Sequence, residues 1–250
     1  YYYCTNHSGM GGQANTNSSL GSSNFDGSIQ TTVKANQSAG FSIVLYEGQG
    51  SSDITLGHGL NAVPNVVLVK ERTGTRAWIM YHSSLGANKY LQLATTQVAL
   101  TNNDLFGNTT PTSSVFTVSD AGTSDSGDDY VAYCFSEVAG YSKFGTYIGN
   151  NNDDGTFVFT GFRPAWIMMK ETSSTSRWSI YDNKRDTTNP NTTYLRAQAT
   201  NGDTINSANP VDFLSNGFKM RKGNQNEPNA SQTYVFFAFA KSPLKYARAG

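Results

Sequence analysis

Pro64-Asn65-Val66-Val67-Leu68-Val69-Lys70-Glu71 and Pro164-Ala165-Trp166-Ile167-Met168-Met169-Lys170-Glu171 decide how this chain is read. Each stretch is a proline, a short apolar run and a closing Lys-Glu pair. Val66–Val69 and Trp166–Met169 are apolar at every position. Runs this short read as strands, and the lack of alternation means strands buried on both faces. The two stretches lie 100 residues apart, and over positions 64–82 six residues recur at that offset. They are Pro64/Pro164, Lys70/Lys170, Glu71/Glu171, Thr75/Thr175, Trp78/Trp178 and Tyr81/Tyr181. Chance would give about one such match, so the pattern reads as an internal duplication.

The match extends outward with small length changes. Tyr90-Leu91 answers Tyr194-Leu195, Phe116 answers Phe218, and Tyr130–Phe135 answers Tyr234–Phe239. At the start, Gly40-Phe41-Ser42 answers Gly140-Tyr141-Ser142. In the first copy strands are expected near Phe41–Tyr46, Ile54–Leu56, Asn65–Lys70, Trp78–Tyr81, Tyr90–Ala94, Val115–Val118 and Asp129–Phe135. Gly, Asn, Asp and Ser punctuate them, with Asp154-Gly155 read as a two-residue turn. The expected fold is all-β: two tandem, tightly packed β-sandwich repeats of a jelly-roll or lectin-like kind. The boundaries are 1–12 for a terminal strand and loop, 13–39 for a polar linker with a short strand, 40–139 for the first repeat and 140–250 for the second. No flexible linker separates Phe135 from Tyr141, so the copies are expected to pack rigidly against each other.

Composition narrows the function. Eighteen Lys+Arg balance eighteen Asp+Glu in 250 residues, and charged residues are 14%. Such a chain has no electrostatic footprint for nucleic acid or an anionic membrane. The longest apolar run, Tyr234–Ala240, is far short of the ~20 residues that span a bilayer as a helix. Asn, Ser, Thr and Gly make up 102 of the 250 residues, which favours turns and exposed strands over helices. This weakly charged polar surface is typical of secreted and virion surface proteins. The opening Tyr1-Tyr2-Tyr3-Cys4 reads as the interior of a strand, so the chain is expected to be a piece of a longer polypeptide.

Cys4-x-x-His7-x-x-Met10 has the ligand types of a blue-copper site, thiolate, imidazole and thioether. The segment YYYCTNHSGMGG resembles the C-terminal ligand loop of cupredoxins. Those proteins use a second His from an upstream strand, which this sequence lacks. Residues 1–12 are therefore expected to be the tail end of a cupredoxin-like module, with Cys4, His7 and Met10 as ligands only if the upstream part is present. No cofactor is expected.

Three longer patterns carry a second resemblance. They are GFSIVLYEG…VPNVVLVKER…W…YH, then DDYVAYCFSEVAGYSKFGTYIGN…FVFTGFRPAWIMMK, then FLSNGFKMR…YVFFAFAKSPLKYA. Together they resemble a repeat region of large virion structural proteins of marine tailed phages, over nearly the whole chain. The resemblance implies a fibre-like, tail-associated or capsid-surface component and brings no catalytic residue with it.

The residues themselves offer little chemistry. His58 and His82 are not repeated, since Asp182 stands at the second position. Glu71 and Glu171 are repeat-equivalent, which suggests a structural pairing with Lys or Arg rather than the two facing carboxylates of a glycosidase. The loops Asp125–Asp129 and Asn150–Gly155 carry oxygen ligands suited to Ca²⁺ but read as polar turns. Trp78 and Trp178 read as core residues, while Phe106 and Tyr194 are expected to be exposed loop aromatics suited to sugar stacking.

The expected function is a non-enzymatic virion surface protein engaged in host attachment. The alternative is a carbohydrate-binding module of a secreted adhesin or enzyme, and a glycosidase ranks third. Expected partners are other virion proteins, further copies in a homotrimer, and host-surface glycans, with no nucleic acid and no membrane insertion. The expected location is the virion surface, after synthesis in the host cytoplasm.

Overall fold

The structure is a computed structural model. It describes residues 21–51, 53–119, 122–200, 202–205, 209–223 and 228–242, and the backbone of two short paired strands, β1 (Tyr2–Tyr3) and β2 (Gly11–Gly12). Cys4, His7 and Met10 lie outside the described residues. The fold is all-β, with one 3₁₀ turn among the described residues, at Gln37–Ala39.

The next strands are β3 (Ser22–Asn24), β4 (Thr31–Asn36), β5 (Phe41–Glu47), β6 (Ile54–Gly57), β7 (Val66–Glu71), β8 (Ile79–His82), β9 (Lys89–Gln92), β10 (Leu100–Thr101), β11 (Val115–Val118) and β12 (Asp129–Phe135). Eight of them form one antiparallel sheet in the order β10-β9-β8-β7-β12-β5-β4-β3, and β6 pairs with β11 in a small second sheet. Then follow β13 (Ser142–Ile148), β14 (Phe157–Phe159), β15 (Pro164–Glu171), β16 (Trp178–Asp182), β17 (Thr193–Leu195), β18 (Thr204–Ile205), β19 (Val211–Leu214), β20 (Gly217–Met220) and β21 (Thr233–Ala240). These form a large sheet, β13-β21-β15-β16-β17-β18, and a small one, β14-β20-β19. The second large sheet follows the strand order β5-β12-β7-β8-β9-β10 of the first.

Period-two alternation sends the two faces of each large sheet into different cores. On β12, Tyr130, Ala132 and Cys134 point toward the small sheet, where they meet Leu56, Phe116 and Val118. On β21, Tyr234, Phe236 and Ala238 point toward Val158, Phe218 and Met220. The opposite faces of the two large sheets meet each other. Val66, Met80 and Leu91 pack against Phe144, Met168, Trp178 and Phe237 in a third cluster. The molecule is thus four stacked layers, small, large, large, small. This is why β7 and β15 are apolar at consecutive positions: each has a core on both sides. Each such side chain contributes roughly 1.5–3 kcal/mol on full burial.

Hydrogen bonds also cross the middle layer. Ala99 N donates to Thr172 O at 3.0 Å and Ser176 N to Thr96 O at 2.9 Å. The indole of Trp178 donates to Gln92 O at 3.1 Å.

Two sequence expectations change. The short strand expected within residues 13–39 is present as β4, but part of the stretch read as linker, Ser22–Asn24, is a strand as well, and β3 and β4 extend the first large sheet, with β4 paired along β5 from Asn36↔Phe41 to Thr32↔Leu45. Asp154-Gly155 is not a hairpin turn. It belongs to the connection from β13 to β14, two strands in different sheets. Asx turns shape that crossover, Asn152 N donating to Asn150 Oδ1 at 3.1 Å and Asp154 N to Asn152 Oδ1 at 2.9 Å.

Candidate functional site

The repeat-equivalent Lys-Glu pairs build the turns between β7 and β8 and between β15 and β16. Lys70 Nζ donates to Arg76 O at 2.8 Å and to Gly74 O at 3.3 Å, closing the first turn from inside. The Glu71 carboxylate, 7% exposed, lies 3.6 Å from Arg76 Nε and presses on Gly74, where a Cβ would fall 1.8 Å from Oε1. In the second turn Lys170 is itself buried. Its Nζ donates to Glu171 O at 2.8 Å and to Ser176 Oγ at 3.4 Å, while Ser174 Oγ donates to the Glu171 carboxylate. The glutamates are therefore turn clamps on two separate hairpins. Pro64 and Pro164 are buried at the strand starts.

The tyrosines of the repeat sit in the two sandwich cores. Tyr81 packs edge-on against Phe106 at 5.8 Å, and Tyr181 packs against Tyr194 at 5.2 Å and donates to Asn209 O at 2.9 Å. Another pair recurs as well. Tyr46 stacks on Tyr130 at 5.2 Å and donates to Thr123 O, while Tyr147 stacks on Tyr234 at 4.9 Å and donates to Pro228 O. Burial, aided by the neighbouring Tyr130 and Cys134, raises the Tyr46 pKa well above its ordinary value.

Several buried or hydrogen-bonded titratable groups serve structure. Burial pushes the Cys134 thiol up to about 12, so it is an uncharged core residue and no nucleophile. His58, also buried, has its pKa lowered by burial, and its two ring nitrogens engage Thr112 O at 3.1 Å and Leu60 N at 3.2 Å. Burial would raise the Asp186 pKa. Hydrogen bonds from Thr188, Thr192 and Thr193 outweigh it and hold the carboxyl well below the usual carboxylate range. The acidic loops are likewise engaged: Asp125 with Arg76 at 2.7 Å and with the Tyr130 hydroxyl at 3.1 Å, Asp154 with Lys219. Among the described residues no three His, Cys, Asp or Glu side chains gather as a metal site.

The aromatics depart from expectation. Phe106 and Tyr194, read as exposed loop rings, are 2% and 0% exposed: the Phe106 loop folds back over the first core, and Tyr194 lies on β17 with its ring in the second. Trp178 is a core residue, but its counterpart Trp78 is only half-buried. Trp78 stacks on Tyr133 at 6.0 Å, and Tyr133 lies parallel to Phe41 at 6.2 Å. Three half-buried rings therefore run in a row across the first large sheet.

That row adjoins an open recess of about 710 Å³ over one face of the β4–β5 pair and its 3₁₀ turn. Phe41 and Ile43 form its floor, and Lys34, Asn36, Gln37 and Ser38 its rim. Local chemistry fixes the rim. Asn36 caps the 3₁₀ turn, its Oδ1 accepting from Ala39 N at 3.1 Å and from Ser38 Oγ at 2.9 Å. Gly40 closes the turn in the left-handed region, φ +61°, where a Cβ would lie 2.3 Å from Ser136 O. Gln37 Nε2 donates to Gly59 O at 3.0 Å. Lys34 Nζ, Asn36 Nδ2 and Gln37 Oε1 have no protein partner among the described residues and face solvent. An apolar floor with a few fixed polar groups is the chemistry of a small-ligand site. The sequence reading missed it because its polar rim, Lys34 to Ser38, comes from the stretch 13–39 taken as linker and short strand. The one signal was Phe41, Ile43 and Leu45, apolar at alternate positions beside the buried set Ser42, Val44 and Tyr46.

No curated protein and no solved structure matches the chain. A family model described as a domain of unknown function (DUF7483) matches residues 13–243, nearly the whole length, and the chain belongs to that family.

Proposed function

We propose that the chain is a non-enzymatic component of a tailed-phage virion surface, a fibre, spike or capsid decoration, and that it engages host-surface saccharides at the β4–β5 recess. The observation that carries the reading is the recess itself, with its apolar floor, free ammonium and amides, and adjoining row of rings. The C–H faces of sugar rings pack on Phe41 and along the Tyr133–Trp78 row, and sugar hydroxyls bond Asn36 and Gln37. Lys34 is the charged residue of the rim, so a saccharide bearing carboxylates fits better than a neutral one. A stacked four-layer body suits display, because the site is held on paired strands and a capped turn rather than on a free loop. The resemblance of the long motifs to virion proteins supports the location, and closed self-association would multiply weak sites.

Antibody labelling of purified particles tests the location. Regular decoration of the tail or capsid is expected. Its absence, with the chain found instead in a secreted enzyme or adhesin, would favour the carbohydrate-binding-module alternative, which would use the same recess.

No polysaccharide turnover is expected from the purified chain. Glu171→Gln weakens the bond from Ser174, a turn residue, to the buried Glu171 side chain and is expected to lower stability by about 1–2 kcal/mol, read by denaturant unfolding. Glu71→Gln is expected to act in the same direction. Turnover abolished by either change would show that the clamps are catalytic after all.

A further inference from the structure

The two halves differ at one edge. In the first half the outer edge of β6 is covered by the chain that leads into β4. Ser28 N donates to Thr55 O at 2.9 Å, Ile29 bridges to Leu56, and Thr31 Oγ1 donates to Gly57 O at 3.1 Å. In the second half the chain runs straight from β12 into β13, and there is no such lead-in. The strand that corresponds to β6 is β14, and it is an edge strand.

The ladder fixes which way the β14 main chain points. Met220 N donates to Thr156 O at 3.1 Å and Thr160 N to Asn216 O at 3.0 Å. Antiparallel alternation then turns Val158 toward β20, and turns the N–H and C=O groups of Phe157 and Phe159 outward to the open edge. Among the described residues no strand pairs there. Both rings stand on the outer face of the small sheet, 43% and 59% exposed. The Phe157 ring lies over Gly217, where a Cβ would sit 2.9 Å from Cε2.

Edges left like this usually carry a guard, and the neighbouring large sheet has one. On the free edge of β13, Glu137 Oε1 accepts from Phe144 N at 2.9 Å and Val138 O accepts from Ser142 N at 2.9 Å. β14 carries no charge or proline, and among the described residues no side chain caps its edge.

We infer that β14 pairs with the same strand of a second copy, antiparallel, about a twofold axis through Val158. In that register Phe157 faces Phe159 of the partner subunit, and Phe159 faces Phe157 of the partner subunit. The outward groups then exchange four main-chain hydrogen bonds. The sheet β14-β20-β19 continues as six strands, and four phenylalanine rings meet on one face. The register complements itself and brings no like charges together, which is what an isologous contact requires. Two N–H and two C=O groups at strand spacing call for another strand rather than for a sugar. The closed contact is a dimer, in place of the homotrimer expected from the sequence. This inference is independent of the saccharide reading.

The test uses the whole chain. Sedimentation across the micromolar range is expected to show a monomer–dimer equilibrium. Hydrogen exchange at the Phe157 and Phe159 amides is expected to slow as concentration rises. The surface double substitution Phe157→Ser and Phe159→Ser is expected to weaken the dimer about tenfold or more with an unchanged circular dichroism spectrum. The inference is overturned by a monomer at all concentrations or by a dimer or trimer whose Phe157 and Phe159 amides exchange freely. It is overturned equally by amides protected at every dilution, which would mean that another part of the same chain covers the edge.

Discussion

Trp178→Ala is expected to destabilise the protein by about 3–5 kcal/mol, while Trp78→Ala costs about 1–2 kcal/mol, although the two tryptophans are repeat-equivalent. Trp178 is fully buried in the middle layer, packed against Phe237 at 6.4 Å with its indole N–H bonded to Gln92 O. Its removal leaves a cavity between the large sheets and deletes a hydrogen bond to the other half of the chain. Trp78 rests on Tyr133 with part of its ring already in water, so less burial is lost. Denaturant unfolding of both variants checks the contrast. Equal losses would mean that the two large sheets do not share a core around Trp178.

Stability is expected to fall by roughly 3 kcal/mol between pH 6.5 and pH 4 on account of His82 alone. The imidazole is fully buried at the end of β8, edge-on to Phe237 at 5.4 Å, and its Nδ1 accepts from Ser84 N at 3.2 Å. Burial pushes its pKa down to about 4, with the Phe236 backbone pulling weakly the other way. That backbone contact falls short of hydrogen-bond geometry, so Nε2 has no partner among the described residues. Above pH 6.5 the imidazole is neutral in the folded and the unfolded chain and the term vanishes. As pH falls, the unfolded chain takes up the proton first, so stability declines until the folded form also protonates near pH 4. Asp186 adds to the loss only at the acid end of this window: its depressed carboxyl stabilises the fold above the ordinary carboxylate pKa, and that contribution fades as the unfolded carboxyl begins to protonate, mostly below about pH 4.

His82→Asn is expected to flatten the slope. An amide oxygen can accept from Ser84 N as Asp182 Oδ1 accepts from Lys184 N at 3.0 Å in the second half. Unfolding midpoints at a series of pH values give the answer. An unchanged slope in the variant would assign the acid sensitivity to other groups.

Much of this architecture was written in local pattern. Val66–Val69 and Trp166–Met169 lack alternation because two cores claim them, and that is visible in the letters alone. The Lys-Glu pairs were legible as structural for the same reason that they recur. What the sequence could not separate was equivalence from environment. Trp78 and Trp178 occupy matching positions, but only Trp178 faces the other large sheet squarely. Phe106 and Tyr194 sit among turn-forming residues, and nothing local says that the loop of Phe106 folds inward over a core or that Tyr194 lies on the short strand β17. Lys34, Asn36 and Gln37 looked like linker. Their role depends on β4 pairing with β5, a contact between neighbouring strands that polar composition hides.

Calorimetric titration of the whole chain with a hexuronate oligomer, and in parallel with a neutral hexose oligomer of the same length, tests the central claim most directly. The β4–β5 recess is predicted to bind the hexuronate saturably and more tightly than the neutral oligomer. Lys34→Glu is predicted to weaken hexuronate binding about tenfold or more without changing the unfolding midpoint, and Asn36→Ala to weaken both oligomers. Failure of both to bind, or binding indifferent to Lys34→Glu and Asn36→Ala, would contradict the account.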